Sequence, residues 1–403
     1  MMTPNLSCLP TELHNVIFES CEQHDLLSLA QSSKALFLST VPLIYRYVDL
    51  STHNREPDFT GERDQWADVH PLRPPPVTMI HRQHSFLLSL LRYPEHGKYV
   101  RHLTWTLTFA SDIEREGTRL LAEDTLQFPE TKIWNAFESM VNVEKLDLAS
   151  LHVLCTPYLA QCPSSLFSSS VSIRLLGRFS FQLASAILHS VDATKLKQLC
   201  LDDVQDWGQH TDGTPMLSSD GYDLGGRTEH KNPDGSRGIV FPGPMRGLLP
   251  VLEGGCLSLT FLFLRKAGQI CGCRPKNFLP TPADEEVYSE WVAFIESVKS
   301  TLKILIIEQG TNTMIQRPMC LKGGIRRMDA RFRRMVIPCL ESGGWSSLQR
   351  MELRGTGIET RSGRNGNVEA VQKAIGPTAE LVVGQWAEKP CPMFHGFDFV
   401  SGF

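Results

Sequence analysis

A short pattern of apolar residues, apolar-x-x-apolar-x-apolar, recurs along this chain and limits its fold more than any other feature. Six copies occur: Val100/Leu103/Trp105, Val143/Leu146/Leu148, Leu196/Leu199/Leu201, Leu259/Leu262/Leu264, Leu302/Leu305/Ile307 and Leu348/Met351/Leu353. A weaker copy lies at Val171/Ile173/Leu175. The alternating last positions predict a short strand with one buried face in each copy. Because the same pattern recurs, we predict a chain built from repeated units.

Stretches with helical spacing of apolar residues precede most of these strands. Examples are Phe86/Leu87/Leu90/Leu91, Ala184/Ile187/Leu188/Val191, Trp291/Phe294/Ile295/Val298 and Met328/Phe332/Met335/Val336. Alternating helices and strands predict an α/β or α+β fold with a parallel sheet. The leucine pattern favours an irregular, leucine-rich repeat-like helix-strand solenoid over a doubly wound sheet. The copies begin at 100, 143, 196, 259, 302 and 348. The spacing between successive copies is longer than the roughly 20 to 29 residues of an ordinary leucine-rich repeat, which indicates insertions between the copies.

Composition places the boundaries of this repeat domain. We expect a linker at 51–80, which contains Pro74-Pro75-Pro76, and the repeat domain at 81–360. Residues 202–244 are rich in Asp, Gly, Ser and Pro and lack an apolar period, so they are predicted to be a flexible insertion. Residues 361–403 are predicted to be a C-terminal tail.

Residues 6–50 show a different pattern, which predicts three short helices. Pro10 suits a first helical turn, and Leu13, Val16 and Ile17 follow at helical spacing. Asp25 stands where a second helix needs an N-cap. Pro42 is expected to interrupt the third helix. Helices this short are unstable alone, so they must pack on one another or on a partner.

The same N-terminal segment contains short motifs in a fixed order. They are Leu9-Pro10-Thr11-Glu12-Leu13, Val16-Ile17-Phe18, Asp25-Leu26-Leu27-Ser28-Leu29-Ala30 and Leu43-Ile44-Tyr45-Arg46-Tyr47-Val48-Asp49-Leu50. Together they resemble an F-box. This resemblance implies docking to the Skp-family adaptor of a cullin-RING ubiquitin ligase. The residues that it places at the interface are Leu9, Pro10, Leu13, Ile17, Leu26, Leu29 and Ala30.

One segment departs from the family, and one later segment agrees with it. Ser32-Ser33-Lys34 replaces the more apolar, Arg-rich sequence of many F-box members. In the C-terminal half, Trp345-Ser346-Ser347-Leu348-Gln349-Arg350-Met351-Glu352-Leu353 resembles the degenerate leucine-rich repeats of fungal F-box proteins. The resemblance therefore implies an F-box-like module of three helices followed by a leucine-rich repeat-like domain.

Charge and hydropathy narrow the classes of partner. The chain carries 40 Lys and Arg against 44 Asp and Glu, with a net charge of −4, so it has no general attraction to nucleic acid or to an anionic membrane. No apolar stretch approaches the roughly 20 residues that span a bilayer, and the start lacks a signal-peptide pattern. We therefore expect no membrane association and a cytoplasmic or nuclear location. The eleven cysteines are expected to be mostly reduced.

The motifs of the common catalytic sites are absent from the sequence. It has no Ser nucleophile elbow, no Gly-rich phosphate loop with its Lys, and no His-Glu-x-x-His. Cys271-Gly272-Cys273 is spaced too closely for a zinc knuckle. We predict no catalytic residue, no metal and no cofactor. An enzyme in a divergent α/β domain is an alternative, and it would need polar residues that converge in a closed pocket.

These observations predict a non-catalytic adaptor. It would bind the Skp-family adaptor of an SCF-type cullin-RING ubiquitin ligase through the N-terminal module and an unknown protein substrate through the repeats. The alternative is a leucine-rich interaction scaffold that acts outside a ubiquitin ligase, in which the N-terminal helices are only a cap on the repeat domain or bind the Skp-family adaptor without a ligase. Candidate substrate-binding residues are Arg326, Arg327, Arg331 and Arg334, whose forks suit an acidic or phosphorylated segment, although such a charge run is more often a solvated helix face.

Phe263 is the other candidate for substrate binding. In a strand-helix solenoid, residues that alternate with the buried leucines face the partner, and Phe263 is such a residue. Large aromatic side chains at these positions often dominate binding energy. We expect Phe263 to face solvent, with a strand buried on both faces as the alternative.

Overall fold

The computed structural model describes residues 10–51, 77–107, 130–150, 163–179, 181–206, 229–231, 237–239, 243–268, 282–311, 321–354 and 366–384. The helices in these ranges are α1 Thr11–Glu19, α2 Gln23–Ser32, α3 Lys34–Ile44, α4 Val77–Arg92, α5 Glu130–Ser139, α6 Phe181–Ser190, α7 Pro282–Val298, α8 Leu321–Glu341 and α9 Gly366–Ile375. The strands are β1 Tyr47–Leu50, β2 His102–Thr106, β3 Lys145–Ser150, β4 Ser172–Phe179, β5 Gln198–Asp206, β6 Glu229–Lys231, β7 Arg237–Ile239, β8 Gly243–Pro244, β9 Phe261–Gly268, β10 Ile304–Thr311, β11 Arg350–Arg354 and β12 Glu380–Gly384.

A parallel sheet organises the described chain. Its strand order is β1-β2-β3-β4-β5-β9-β10-β11-β12, and the short strand β8 pairs antiparallel with β5. Strands β6 and β7 form a separate antiparallel hairpin. The predicted α/β fold with a parallel sheet is confirmed. Apart from β6 to β8, strands that follow one another in sequence are neighbours in the sheet, as short connections favour.

Neighbouring strands of the parallel sheet begin with the same backbone arrangement. The carbonyl oxygen of Arg46, just before β1, accepts hydrogen bonds from the N–H groups of Arg101 and His102, both at 3.0 Å. The carbonyl of Lys303, just before β10, accepts from Gln349 and Arg350 in the same way. This shared arrangement keeps the leucine positions in register from strand to strand.

Rows of apolar side chains cross one face of the sheet and form the core with the helices. One row, in register, is Val48, Leu103, Leu146, Ile173, Leu199, Leu262, Leu305, Met351 and Leu381. Helices α4 to α9 cover this face with side chains such as Leu90, Phe137, Ile187, Phe294, Phe332 and Val371. The strands have a buried apolar face because alternate positions are leucine, isoleucine or similar residues.

The N-terminal helices pack on a much smaller core, which consists of Phe18, Leu26 and Leu36 with partly buried neighbours. Two details differ from expectation. Helix α2 begins at Gln23, so Asp25 lies in its first turn instead of at the N-cap. Helix α3 continues through Pro42, but only for two further residues. The predicted module 6–50 also includes β1, which pairs with β2 and so belongs to the sheet.

Three predicted segments contain regular structure in their described residues. The predicted flexible insertion 202–244 contains the end of β5, the paired strands β6 and β7, and β8, because strand pairing continues past the apolar motif. The rest of this insertion lies outside the described residues. The predicted tail 361–403 contains α9 and β12, which add one more helix and strand to the sheet. The predicted linker 51–80 contains the start of α4. The weak motif copy at Val171 precedes a full strand, β4.

Candidate functional site

The N-terminal helices expose several large apolar side chains. On α1, Leu13 is 49% exposed, Val16 67% and Ile17 36%. Further along, Leu27 on α2 and Leu38 on α3 are also exposed. Exposed apolar surface lowers the stability of a free chain, so a concentration of it indicates an interaction surface.

The structure divides the seven residues that the F-box resemblance places at an interface. Pro10, Leu13 and Ile17 are exposed, whereas Leu29 and Ala30 are half-buried. Leu26 is buried in the small core with Phe18 and Leu36, so it stabilises the helices instead of facing a partner. Leu9 lies outside the described residues. Leu38, at 65% exposed, was not among the predicted residues, although its place in an apolar helix could have indicated it.

A chain of ion pairs, which we call the charge ladder, crosses the sheet face opposite the helices. Arg174 on β4 donates to Asp147 on β3, with 3.4 Å between Nη1 and Oδ2. It also donates to Asp202 on β5, with 3.2 Å between Nη2 and Oδ2. Arg265 on β9 continues the ladder, 3.1 Å from Asp202 and 3.4 Å from Glu308 on β10. These five side chains are all buried.

The charge ladder reaches solvent toward β12. Arg354 on β11 pairs with Glu308 at 3.5 Å and with Glu352 on its own strand. Arg350 pairs with Glu352 at 2.6 Å and with Glu380 on β12 at 3.5 Å. The side chains of Arg350 and Glu380 are 46% and 61% exposed, so this end of the ladder is accessible to a partner.

The electrostatics of the buried end favour full ionisation of Arg174. Burial acts against its charge, but the carboxylates of Asp147 and Asp202 outweigh burial and hold the pKa of Arg174 above its usual range. Cys200 lies beside Arg174 in the strand register, and burial raises the pKa of its thiol well above the usual value. The thiol therefore stays neutral and does not compete for the guanidinium.

Sequence reasoning missed the charge ladder, although a signal exists. Asp202, Arg265, Glu308 and Arg354 each follow directly after the last residue of a leucine motif, and their charges alternate in sign. In a parallel sheet with constant register, equivalent positions of neighbouring motifs lie side by side. Comparing the charges at equivalent positions would have predicted the pairing.

The predicted substrate-binding residues do not come together at one site. Phe263 lies on the face opposite the helices but is only 2% exposed, so the expectation that it faces solvent is wrong. It packs with Cys200 and Ile306 because β9 lies between β5 and β10 and carries apolar residues on both faces. Arg331 and Arg334 on α8 both pair with Glu285 on α7. The backbone of Arg326 and Arg327 belongs to α8, and their side chains lie outside the described residues.

Known proteins add no assignment to this geometry. No protein-family model matches the chain, and no curated protein matches it. In the ranges that the structure describes, no helix is long and apolar enough to cross a membrane. The same ranges hold no cluster of three or more His, Cys, Asp or Glu side chains able to hold a metal ion. Exposed apolar helices and a charged sheet face can bind partners by burial and charge complementarity.

Proposed function

We propose that this chain is a non-catalytic substrate-recognition subunit of an SCF-type cullin-RING ubiquitin ligase. The observation that carries the proposal is the concentration of exposed apolar side chains on α1 to α3. Of twelve large apolar side chains that are exposed in the described residues, seven lie within 10–51. Single exposed apolar residues are ordinary on a protein surface, but such a concentration fits a docking module.

The proposal assigns different roles to the two parts of the fold. Helices α1 to α3 would form the F-box-like module that docks on a Skp-family adaptor. The sheet and helices α4 to α9 would form an irregular, leucine-rich repeat-like solenoid that holds the substrate. Three short helices, the repeated strand register and the leucine rows support this assignment. The chain would hold the substrate close to the enzyme that transfers ubiquitin. Holding two reactants close together raises the rate of the transfer.

Substrate contact is proposed at the end of the charge ladder that reaches solvent. There Arg350 and Glu380 combine exposure with charges of both signs. A protein partner with a complementary pair of charges would be steered to this face and fixed in register. Arg331 and Arg334, which pair with Glu285, are further candidates; the side chain of Arg334 is 65% exposed and that of Arg331 only 17%.

The docking proposal is tested by alanine substitutions matched for exposure. Leu13→Ala with Ile17→Ala removes two exposed side chains of α1, and Leu88→Ala with Val141→Ala removes two side chains of similar exposure (48% and 53%) elsewhere. We expect the first pair to weaken binding of a purified Skp-family adaptor at least about tenfold, or about 1.4 kcal/mol, because anchors dominate binding energy. The second pair should bind like the wild type.

Two results would contradict the proposal or change it. Absence of binding between the wild-type chain and the adaptor, or equal affinity of the α1 variant, removes the docking module. Binding of the adaptor without recovery of a cullin in the same complex favours the alternative, an interaction scaffold outside a ubiquitin ligase. Affinity purification followed by mass spectrometry distinguishes these cases.

A further inference from the structure

A cleft of about 380 Å³ lies where the N-terminal helices meet the sheet. It is open at the starting ends of β1, β2 and β3, away from the exposed end of the charge ladder. Residues from α3, from the 3-10 helix Pro94–Tyr99 and from the strand starts form its walls. Its polar and aromatic residues are Arg46, Lys98, Tyr99, Arg101, His102 and Glu144.

Positive charge exceeds negative charge in this cleft. Arg101 pairs with Glu144, with 3.0 Å between Nη1 and Oε1, and Arg46 pairs with Glu19 outside the cleft at 3.3 Å. Within the part of the chain that the structure describes, Lys98 has no carboxylate at ion-pair distance, and its ammonium lies 5.2 Å from the ring centre of Tyr99. Three cations are therefore matched by two carboxylates, Glu144 in the cleft and Glu19 beside it, which leaves one positive charge in excess in a protein whose net charge is −4.

The pKa of His102, in the wall of the cleft, is lowered mainly by burial. The charge of Lys145 lowers it further. Glu144 acts in the opposite direction, and Arg46 again lowers the pKa. The imidazole is thus neutral at physiological pH and can donate or accept a hydrogen bond in the cleft.

The backbone that presents Lys98 is fixed before any ligand arrives. Gly97 is buried against α5, where a Cβ atom would lie 2.2 Å from Ser139 Oγ and 2.6 Å from its carbonyl oxygen. Asn142 Nδ2 donates to the carbonyl oxygen of Lys98 at 2.8 Å. Because this 3-10 helix is held at Gly97 and at Lys98, a ligand would need to order only the side chain, which lowers the entropic cost of binding.

We propose that this cleft binds a phosphoryl dianion between Arg46, Lys98 and Arg101. Guanidinium forks bind phosphoryl oxygens in pairs, and an ammonium adds a point charge. The volume accommodates the phosphoryl group and the small residue or molecule that carries it. Arg46 precedes β1 and Arg101 precedes β2, so the anion binds the N-terminal segment and the sheet together. This site is independent of the proposed docking to a ligase.

Titration calorimetry of the full chain tests the site with three probes: inorganic phosphate, a phosphoserine tetrapeptide and the same peptide without phosphate. We expect phosphate and the phosphopeptide to bind with affinity that falls as salt rises, and the unphosphorylated peptide not to bind. Tighter binding of the phosphopeptide identifies a modified protein as the source, and tighter binding of inorganic phosphate identifies a free anion. Absence of binding by both phosphate probes at millimolar concentration overturns the proposal.

Three variants locate the binding. Arg101→Gln should weaken phosphate binding at least tenfold, whereas Lys373→Gln, an exposed cation on α9 at the other end of the sheet, should leave it unchanged. Glu144→Gln removes the competing carboxylate and should strengthen binding several-fold. A gain in affinity cannot come from loss of folding, so Glu144→Gln tests the site even if Arg101→Gln is destabilised. Equal affinities in all three variants would overturn the proposal.

Discussion

The N-terminal helices and the parallel sheet bury their apolar side chains to very different degrees. In α1 to α3 the buried core consists of Phe18, Leu26 and Leu36, while Leu13 and Leu38 are exposed. In the sheet, one continuous core extends from Val48 on β1 to Ala379 beside β12. A core as small as the first contributes little stability on its own, whereas the second is continuous across the sheet. The difference predicts that the N-terminal helices are less stable than the sheet.

The two regions are joined through the residues that end the helical segment. Tyr45 packs against Phe86 and His96, with ring centres 6.0 Å and 4.9 Å away, and its hydroxyl shares a hydrogen bond with Ser89. Strand β1 then pairs with β2. The attachment thus begins near the end of α3, which leaves α1 and α2 dependent on their own small core. Local stability should be lower there than in the sheet.

The largest expected contrast comes from the same substitution placed in each region. Phe294 on α7 is fully buried, and Phe294→Ala should lower the free energy of unfolding by about 3 to 5 kcal/mol through lost transfer energy and a cavity. Phe37 on α3 is 42% exposed, and Phe37→Ala should change the free energy of unfolding by less than about 1 kcal/mol. Chemical denaturation of both variants measures the difference. Similar losses would show that Phe37 belongs to a larger core of the N-terminal helices.

A smaller contrast separates the buried and exposed ends of the charge ladder. Arg174→Gln removes a positive charge from the buried carboxylates of Asp147 and Asp202. The free energy of unfolding should fall by about 3 kcal/mol. Arg350→Gln removes a half-exposed partner of Glu352 and Glu380. The free energy of unfolding should fall by less than about 1 kcal/mol, because exposed ion pairs contribute little to stability. Denaturant midpoints compare the two. A cost for Arg350→Gln equal to that of Arg174→Gln would mean that the ladder acts as one unit.

Much of the sheet was predictable from the sequence because one rule, alternation of buried leucines, operates in every strand. The rule predicted the strand at Leu302/Leu305/Ile307 and its neighbours. A second rule, the helical spacing of apolar residues, predicted the helices between them. It could not predict the second face of β9, since Phe263 reads equally as an exposed anchor or as core until neighbouring strands are known. Composition likewise missed the described parts of 202–244, where backbone pairing, which needs no apolar side chain, continues the structure.

The N-terminal segment was predictable in a different way. Helical spacing gave the existence of α1 to α3, but their boundaries depend on single capping contacts that spacing does not show. Ser33 is such a cap, because its side chain accepts a hydrogen bond from the N–H of Leu36 at 3.2 Å. The F-box resemblance placed both Leu26 and Leu13 at the interface. Only the packing of α2 on α3 shows that Leu26 is buried.

The smallest predicted effects come from the substitution Ser→Ala at two nearby sites. It should lower helix stability at one site and raise it at the other. Ser33→Ala removes the cap of α3 and should lower the stability of the N-terminal helices by about 1 kcal/mol. Ser28 lies inside α2, where its hydroxyl donates only to the carbonyl of His24 four residues earlier, so Ser28→Ala should raise helix stability by about 0.5 kcal/mol. Hydrogen exchange of α2 and α3 amides in the intact chain measures both changes. If the small core unfolds apart from the sheet, exchange shifts in α1 to α3 and not in β3 or β10, whereas a shift spread over the sheet would show that the two regions unfold as one.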